Sequence, residues 1–548
     1  MEQQTYDVVV IGGGAAGLSG ALALGRSRRS VLVVDSGEPR NAPAAHMQNV
    51  LGHDGKAPAE LLAAGRAEIS GYGAELVSGR AESAERDGDG FRVRLDDGRE
   101  VRGRRLLVTT GLKDELPEVD GLAERWGRDV AHCPYCHGWE LKDQRIGVVA
   151  TGPLSALQAQ MWRQISPHVL LLLNGLPRPG AEQAEQLAAR GIPVVEEPIA
   201  SLQVSGDRMT GVRLTTGEVV AVDAVVTGPR FVARSAVLES LGLKPVEMEM
   251  HGHSMGSRIV SDEQGATEVP GVWVAGNVTN LAATVSVAAA GGQTAAAAIN
   301  LDLIAEDTRL AVTAYRERVT TMFEEEAWEE RYRSKPAVWS GRPNPQLVAE
   351  AEGLDAGRAL DVGCGEGADA VWLAKRGWQV TAVDISTVAL ERAAGHAADE
   401  GVAGQIAFKH ADLRTEAPAD RSYDLVSAQF MHLPPVARQE LYANLARAVA
   451  PGGTLLIVGH HPSDLATTVG RMHFPDMLFT AEEIAATLNA AEQKADAAGR
   501  DAAGGKAAER DAAEWDVVAA DARPRPFTDP QGREITIHDA VLVARRRA

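Results

Sequence analysis

Twice along this chain an aliphatic run enters a glycine loop, passes into a helix of small residues and, one strand later, ends on an acid. The first copy reads Tyr6-Asp7-Val8-Val9-Val10-Ile11, then Gly12-Gly13-Gly14-Ala15-Ala16-Gly17, a helix through Leu24, and a strand from Ser30 to Val34 that ends in Asp35. The second reads Ala359-Leu360-Asp361-Val362, then Gly363-Cys364-Gly365-Glu366-Gly367, a helix from Ala368 to Lys375, and a strand from Gln379 to Val383 that ends in Asp384. A lone glycine pattern is weak evidence and could be an ordinary turn. Strand, glycines, helix, strand and acid in this order predict an α/β fold with a ligand held at the strand ends. In the first copy, glycines 12, 14 and 17 permit a tight turn, close approach of backbone to a pyrophosphate, and close helix-to-strand packing. The helix N-terminus favours phosphate charge, and Asp35 is placed to accept hydrogen bonds from a ribose.

A length of 548 residues exceeds what one core serves, so two or three domains are expected, and a 45% hydrophobic content is ample to fill them. Fifty-five basic against 75 acidic side chains give a net charge of −20, which disfavours nucleic acid and anionic membranes as partners. Met1 to Val10 carries no basic stretch followed by a long apolar run, and Val169 to Leu173 is too short to span a bilayer. With only three cysteines, a cytoplasmic location is expected.

Two of those cysteines form Cys133-Pro134-Tyr135-Cys136, flanked by His132 and His137. Thiols at this spacing can close a disulfide ring, and a neighbouring base or cation can turn one of them into a nucleophile. Half a zinc site would need a second Cys/His pair, and Cys-x-x-Cys-His also matches a haem attachment sequence. The third cysteine, Cys364, lies in the second glycine loop and reads as a packing residue, with a redox role the lesser alternative.

Arg105 to Thr109 runs into Thr110-Gly111, and Gly271-Val272-Trp273-Val274-Ala275-Gly276 is followed by Asn277. These segments resemble the distal FAD segments of flavoprotein reductases with two dinucleotide-binding domains. With Glu38-Pro39-Arg40-Asn41 and the Asn49/Gly52 stretch, residues 1 to about 305 resemble the low-molecular-weight thioredoxin reductase family. The resemblance implies an FAD domain over 1–112 and 245–305, and an inserted NAD(P)-type domain over 113–244 that carries the redox pair. It assigns Gly12, Gly14, Gly17, Asp35, Arg40, Asn49, Gly111, Gly276 and Asn277 to FAD, with Asn277 standing where the family usually has Asp.

The inserted domain departs further. Family members that use NADPH have a glycine trio after its first strand and a His-Arg-Arg cluster after the next. Here the sequence is Ala150-Thr151-Gly152-Pro153-Leu154-Ser155-Ala156, and Leu170 to Leu173 runs into Asn174-Gly175-Leu176-Pro177. Pro153 removes a backbone donor from the loop, so NADPH binding is doubtful. Cys-x-x-Cys-His in place of Cys-x-x-Cys-Asp resembles the FAD-dependent dithiol oxidase branch. There a substrate thiolate attacks the Cys133–Cys136 disulfide, the released dithiol reduces the flavin and oxygen reoxidises it. His137 would be the base, or else a packing residue. An NADPH-dependent thioredoxin reductase is the alternative, and the sequence does not set the direction of electron flow.

A charged connector over 306–330 leads into the second glycine copy. Ile406 to His410 precedes Asp412; Tyr423 to Ala428 is a fourth strand; Pro451-Gly452-Gly453 introduces a fifth; Val517 to Ala520 and Ile537 to Ala544 could pair antiparallel at the end. Residues 331–548 resemble class I S-adenosylmethionine-dependent methyltransferases, and a plain Rossmann dehydrogenase would lack the late Pro-Gly-Gly. The resemblance places Asp361, Gly363, Gly365, Asp384 and Asp412 around S-adenosylmethionine, with Asp384 on the ribose and Asp412 on adenine. His432, in Gln429-Phe430-Met431-His432, could be a base beside the methyl acceptor or a pocket-lining residue. Trp328 to Asn344 resembles the lid of small-molecule methyltransferases, with Trp339 over the cofactor, and 490–513 reads as a flexible, solvated insertion.

The fold class expected is thus α/β, a flavoprotein with two dinucleotide-binding domains followed by a class I methyltransferase domain. Expected partners are a small-molecule thiol or disulfide or a thioredoxin-like protein, a small-molecule methyl acceptor, and a second copy as homodimer. A half that has kept only a binding or regulatory role is the alternative to a bifunctional enzyme.

Overall fold

The computed structural model describes residues 5–250, 252–469, 475–488, 514–529 and 531–548. The insertion expected over 490–513 lies outside them. Two compact units divide the chain, Met1–Leu310 and Ala311–Ala548. Among the described residues no helix is long and apolar enough to cross a membrane.

In the first unit the strand Thr5–Ile11 sits at the centre of a seven-stranded sheet, parallel to Val31–Asp35 on one side and Glu100–Val108 on the other. Val8, Val9 and Val10 are fully buried, because helices or strands cover both faces of a parallel sheet. Each such side chain contributes about 1.5–3 kcal/mol on burial. Gly12 ends the strand at φ +110, a conformation that side chains resist, and a Cβ there would also meet Thr109 O at 2.6 Å. A Cβ on Gly17 would stand 1.9 Å from Gly12 O, so the helix Ala15–Arg26 lies against the loop only because position 17 is bare.

The inserted region forms a five-stranded parallel sheet in the order Val194–Val195, Val169–Leu172, Ile146–Val149, Ala224–Thr227, Val130–Ala131. A four-stranded sheet joins Leu112–Glu115 and Arg230–Ala233, where the chain enters and leaves this region, to His253–Arg258 and Val246–Met250. The first part of the connector expected over 306–330 is instead the end of a helix that runs unbroken over Val285–Thr321, since neither glycine nor proline occurs from 293 to 321.

The second unit is a seven-stranded mixed sheet ordered Ile406–His410, Gln379–Asp384, Arg358–Val362, Tyr423–Gln429, Val449–His460, Glu534–Arg546, Trp515–Thr528. The last two strands run antiparallel, as expected for Val517 to Ala520 and Ile537 to Ala544. Strand order reverses between Arg358–Val362 and Tyr423–Gln429, which puts the ligand crevice at their C-terminal ends. The second part of the stretch read as a connector packs here, with Phe323 buried in this core.

Candidate functional sites

The dithiol stands at the start of a single helical turn, Pro134–His137, with Cys133 just before it and Pro134 pre-setting its first φ. Both cysteines are free thiols, and the Cys136 thiol donates to Cys133 Sγ over 2.7 Å. That bond, the amides of Cys136 and Tyr135 and the Arg40 guanidinium pull the Cys133 thiol down to about 6, while Cys136, keeping the shared proton, is pushed up. Burial lowers the pKa of His137, leaving a neutral imidazole near pH 7, and its Nδ1 is buried without a hydrogen-bond partner. His132 is likewise lowered by burial; its ring meets Phe231 edge-on at 5.3 Å. Arg40 donates to both oxygens of Asp114 (2.8 and 2.6 Å) and to Asn277 Oδ1 (3.3 Å), with its guanidinium over the Phe231 ring.

One cavity of about 1100 Å³ joins this dithiol to the first glycine loop. Gly12, Gly14, Asp35, Arg40, Asn49, Gly111, Gly276, Asn277, Cys133, Cys136 and His137 all line it. Gly17 does not; it lies behind the loop as a packing position. At Gly14 a Cβ would meet nothing within 4 Å, and no side chain caps the helix that follows, so its first amides face the cavity. Asp35 accepts from the Gly13 amide at 3.1 Å and from Arg66 at 2.9 Å. Tyr135 and Trp139 flank the dithiol with most of their surface in solvent.

The loop after Ile146–Val149 is arranged otherwise. Ser155 Oγ accepts from the amides of Thr151 (3.0 Å) and Gly152 (3.3 Å) and donates to Gly152 O (2.8 Å). His253 lies on Gly152 so closely that a Cβ there would stand 2.5 Å from its Nε2. After the next strand, Asn174 Oδ1 accepts from the Ile199 amide, and Arg178 is paired with Glu196.

In the second unit, Asp384 accepts from the amides of Gly365 (2.8 Å) and Ser386 (2.9 Å). Asp361 is buried, and its Oδ2 has no hydrogen-bond partner. Burial, then the neighbouring Asp369 and Asp384, push the Asp361 carboxyl far up; burial raises Asp369 to about 6 and raises Asp384 as well. Trp339 Nε1 donates to Tyr332 OH (2.9 Å), and both atoms lie close over Gly365. Glu366 holds this lid by accepting from the amides of Val338 and Trp339, and Arg392 neutralises it. Glu329 accepts from the hydroxyls of Ser386 and Thr387 and the Val388 amide. Asp412 is gripped by Arg414 through both carboxylate oxygens. The His432 ring stacks on His460 at 4.6 Å, and its Nε2 accepts from the His460 amide at 2.9 Å, so that lone pair is already engaged. Burial holds the Cys364 thiol far above its ordinary value, which keeps it inert.

Residues 6–292 match the family model for pyridine nucleotide-disulphide oxidoreductases, more than half of the chain. The chain belongs to that family. Residues 359–453 match a methyltransferase domain. The thioredoxin reductase tcpT of Claviceps purpurea is 31% identical over 321 residues, covering 55% of this chain and 95% of that protein. The crystal structure of HlmI superposes with a TM-score of 0.54 at 45% identity, over 57% of this chain and 97% of that one. The oxidoreductase from Agrobacterium tumefaciens does so with a TM-score of 0.52 at 38% identity, over 55% and 99%. The chain is therefore a thioredoxin reductase-like oxidoreductase fused to a methyltransferase domain.

The residues present fit the cofactors these families imply. Open space at Gly14 and uncapped amides suit the FAD pyrophosphate, and the buried carboxyls of Asp361, Asp369 and Asp384, with Asp361 Oδ2 free of a hydrogen-bond partner, suit the cationic S-adenosylmethionine. In the oxidoreductase half, Ser155, His253 and the Asp114 partner of Arg40 were not foreseen; none belongs to a spacing pattern. In the methyltransferase half, Glu366 lies in the glycine loop and could have been flagged there. Glu329, one acid in an acid-rich helix, carried no such signal.

Proposed function

We propose that the oxidoreductase half is an FAD-dependent dithiol oxidase acting on a small-molecule thiol, and that the methyltransferase half methylates a small molecule from S-adenosylmethionine. The observation that carries the first part is the contrast between the two loops. The dithiol opens into the cavity of the first, whereas the amides a second dinucleotide would need are taken by Ser155 and covered by His253. Electrons then arrive as thiols, not from NADPH. A substrate thiolate attacks one sulfur of the Cys133–Cys136 disulfide, the second substrate thiol displaces it, and a substrate disulfide leaves as the enzyme dithiol forms. His137, neutral and with Nδ1 unengaged, accepts the proton of the attacking thiol. Residues around the Gly12 loop would hold FAD, which would supply the two-electron acceptor for the dithiol and the route to dioxygen.

The residues expected at each cofactor keep those roles: the Gly12 loop, Asp35, Arg40, Asn49, Gly111, Gly276 and Asn277 toward FAD, and Asp361, Gly363, Gly365, Asp384 and Asp412 toward S-adenosylmethionine. With its Nε2 engaged, His432 shapes the acceptor pocket instead of removing a proton. Fusion raises the effective concentration of one activity near the other, which is useful when they share a substrate. A thiol is the chemistry both can use: oxidation masks it reversibly and methylation caps it.

The test is anaerobic bleaching of the flavin, with a small dithiol expected to act and NADPH not. Fast bleaching by NADPH would instead favour the reductase activity named for tcpT. Labelled S-adenosylmethionine with thiol, hydroxyl and amine acceptors tests the second half, and label on oxygen or nitrogen alone would overturn the shared thiol.

A further inference from the structure

A protonated methyl acceptor has to lose its proton, and His432 does not take it, because its Nε2 already accepts from the His460 amide at 2.9 Å. A second pair of histidines stands beside it. The Phe479 ring lies 6.1 Å from that of His432 and covers Gly459, where a Cβ would stand 2.3 Å from Phe479 Cζ. Side chains alternate along a strand, so His461, two residues beyond Gly459, continues the same face, and its amide donates to His538 O at 3.1 Å. The His461 and His538 rings meet edge-on at 6.3 Å. Between them lies Ser463 Oγ, 2.9 Å from His461 Nδ1 and 3.3 Å from His538 Nδ1. The Ser463 amide donates to His461 Nδ1 at 3.2 Å, which fixes that nitrogen as an acceptor. The one proton of the Ser463 hydroxyl then goes to His461, and its oxygen lone pairs call for a donor on His538 Nδ1. Asp464, fully buried, accepts from the His538 amide at 2.8 Å and stands 3.9 Å from that same Nδ1, which favours a proton there. The donors therefore run from His538 to Ser463 to His461 and leave the His538 lone pair on Nε2, in a side chain that is 34% exposed. We propose that His538 Nε2 is the proton acceptor for methyl transfer, held in that tautomer by Ser463 and Asp464.

The inference rests on the reading of this half as a methyltransferase for small thiols and supplies its base. The acceptor sulfur gives its proton to His538 Nε2 and forms a bond to the methyl carbon. The electron pair of the broken carbon–sulfur bond stays with the donor sulfur, which passes from sulfonium to neutral thioether, so neither oxidant nor reductant is needed. Ser463 and Asp464 are positioning residues, acting through the His538 ring.

The experiment reads the tautomer first, by two-bond proton–nitrogen correlation on the full chain with ¹⁵N-labelled histidine, at about pH 8, above the ordinary histidine range. His538→Gln and His461→Asn assign the signals. His538 is expected as the Nδ1–H tautomer, against the Nε2–H form that free histidine prefers, and His461 as Nε2–H. Ser463→Ala should return His538 toward Nε2–H, and Ser463→Thr should restore Nδ1–H. Wild-type His538 found as Nε2–H would overturn the proposal. The second reading is methyl transfer from labelled S-adenosylmethionine, at about pH 7, to 2-mercaptoethanol, which is protonated there, and to 4-nitrothiophenol, which is already an anion. His538→Gln is expected to slow the first about 100-fold, the lower range for a lost general base, while the second, which needs no base, keeps most of its rate. Equal losses with both thiols would show a structural role and overturn the proposal. Failure of the wild type to methylate either thiol would overturn the thiol-acceptor reading instead, and leave the tautomer to judge His538.

Discussion

The loop at Gly12–Gly17 and the loop at Ala150–Ser155 follow the same kind of buried parallel strand, yet their turns are finished differently. At Gly14 space is open and the helix amides are uncapped; at Gly152 a serine hydroxyl has taken the amides and an imidazole the space. The difference teaches that a strand, a turn and a helix are not yet a nucleotide site. What decides is whether the backbone donors at the turn are still free when folding is complete.

The contrast is most easily broken at Gly14. Its backbone is extended, at φ −80, and nothing crowds it, so Gly14→Glu should fold. The added anion would repel the pyrophosphate, and the purified variant is expected to be colourless; a normal flavin spectrum would remove the first loop from the site. Next in size, Cys136→Ser should reduce dithiol turnover to background while methyl transfer continues, measured on the same preparation. Residual oxidase activity above a few per cent would show that the pair is not the relay.

The second loop is tested by rate. NADPH should bleach the flavin about 100-fold more slowly than a small dithiol, the size expected when roughly 3 kcal/mol of phosphate contacts are missing. A Ser155→Ala variant, which frees two amides, is expected to narrow that gap, and equal rates in the wild type would erase the distinction between the loops.

The third glycine loop, in the methyltransferase half, extends the comparison to a ligand without phosphate. Asp384→Ala should weaken S-adenosylmethionine about 10- to 100-fold by calorimetry, from loss of hydrogen bonds to a charged acceptor, with flavin content unchanged. The smallest effect concerns pH. Asp361 and Asp369 have raised carboxyls in the folded protein, so folding binds protons and stability falls as pH rises from about 4 through about 6, where Asp369 titrates. A cationic ligand offsets that loss, so S-adenosylmethionine should raise the melting temperature more at pH 8 than at pH 5. Asp361→Asn, without ligand, should melt about 2–4 °C higher than wild type at pH 8, about 1 kcal/mol for a unit of this size. An unchanged melting temperature would mean that the carboxylates do not repel one another.

Much of this was legible in the chain. Local order carries the strands and loops: Val8, Val9 and Val10 can only be buried together, and Gly12 and Gly17 permit only one close turn. The cavity residues from Gly12 to Asn277, scattered over the unit, were identifiable because each belongs to a short segment of its own. The connector expected from 306 was placed too early, because a shift from alanine-rich to charged residues changes the helix surface and leaves its backbone propensity intact.

The sequence by itself determined two glycine-loop folds in tandem, the closely spaced Cys133 and Cys136, and a second loop short of glycines. Only the tertiary structure decided that Ser155 and His253 cover Gly152, that Arg40 is shared between Asp114 and Asn277, that Asp361 Oδ2 is left without a hydrogen-bond partner, and that His432 has its Nε2 engaged. Strand and turn preferences act over a few residues and leave a periodic trace. A hydrogen bond or a charge between residues a hundred positions apart leaves none, because it depends on which segments the core brings face to face.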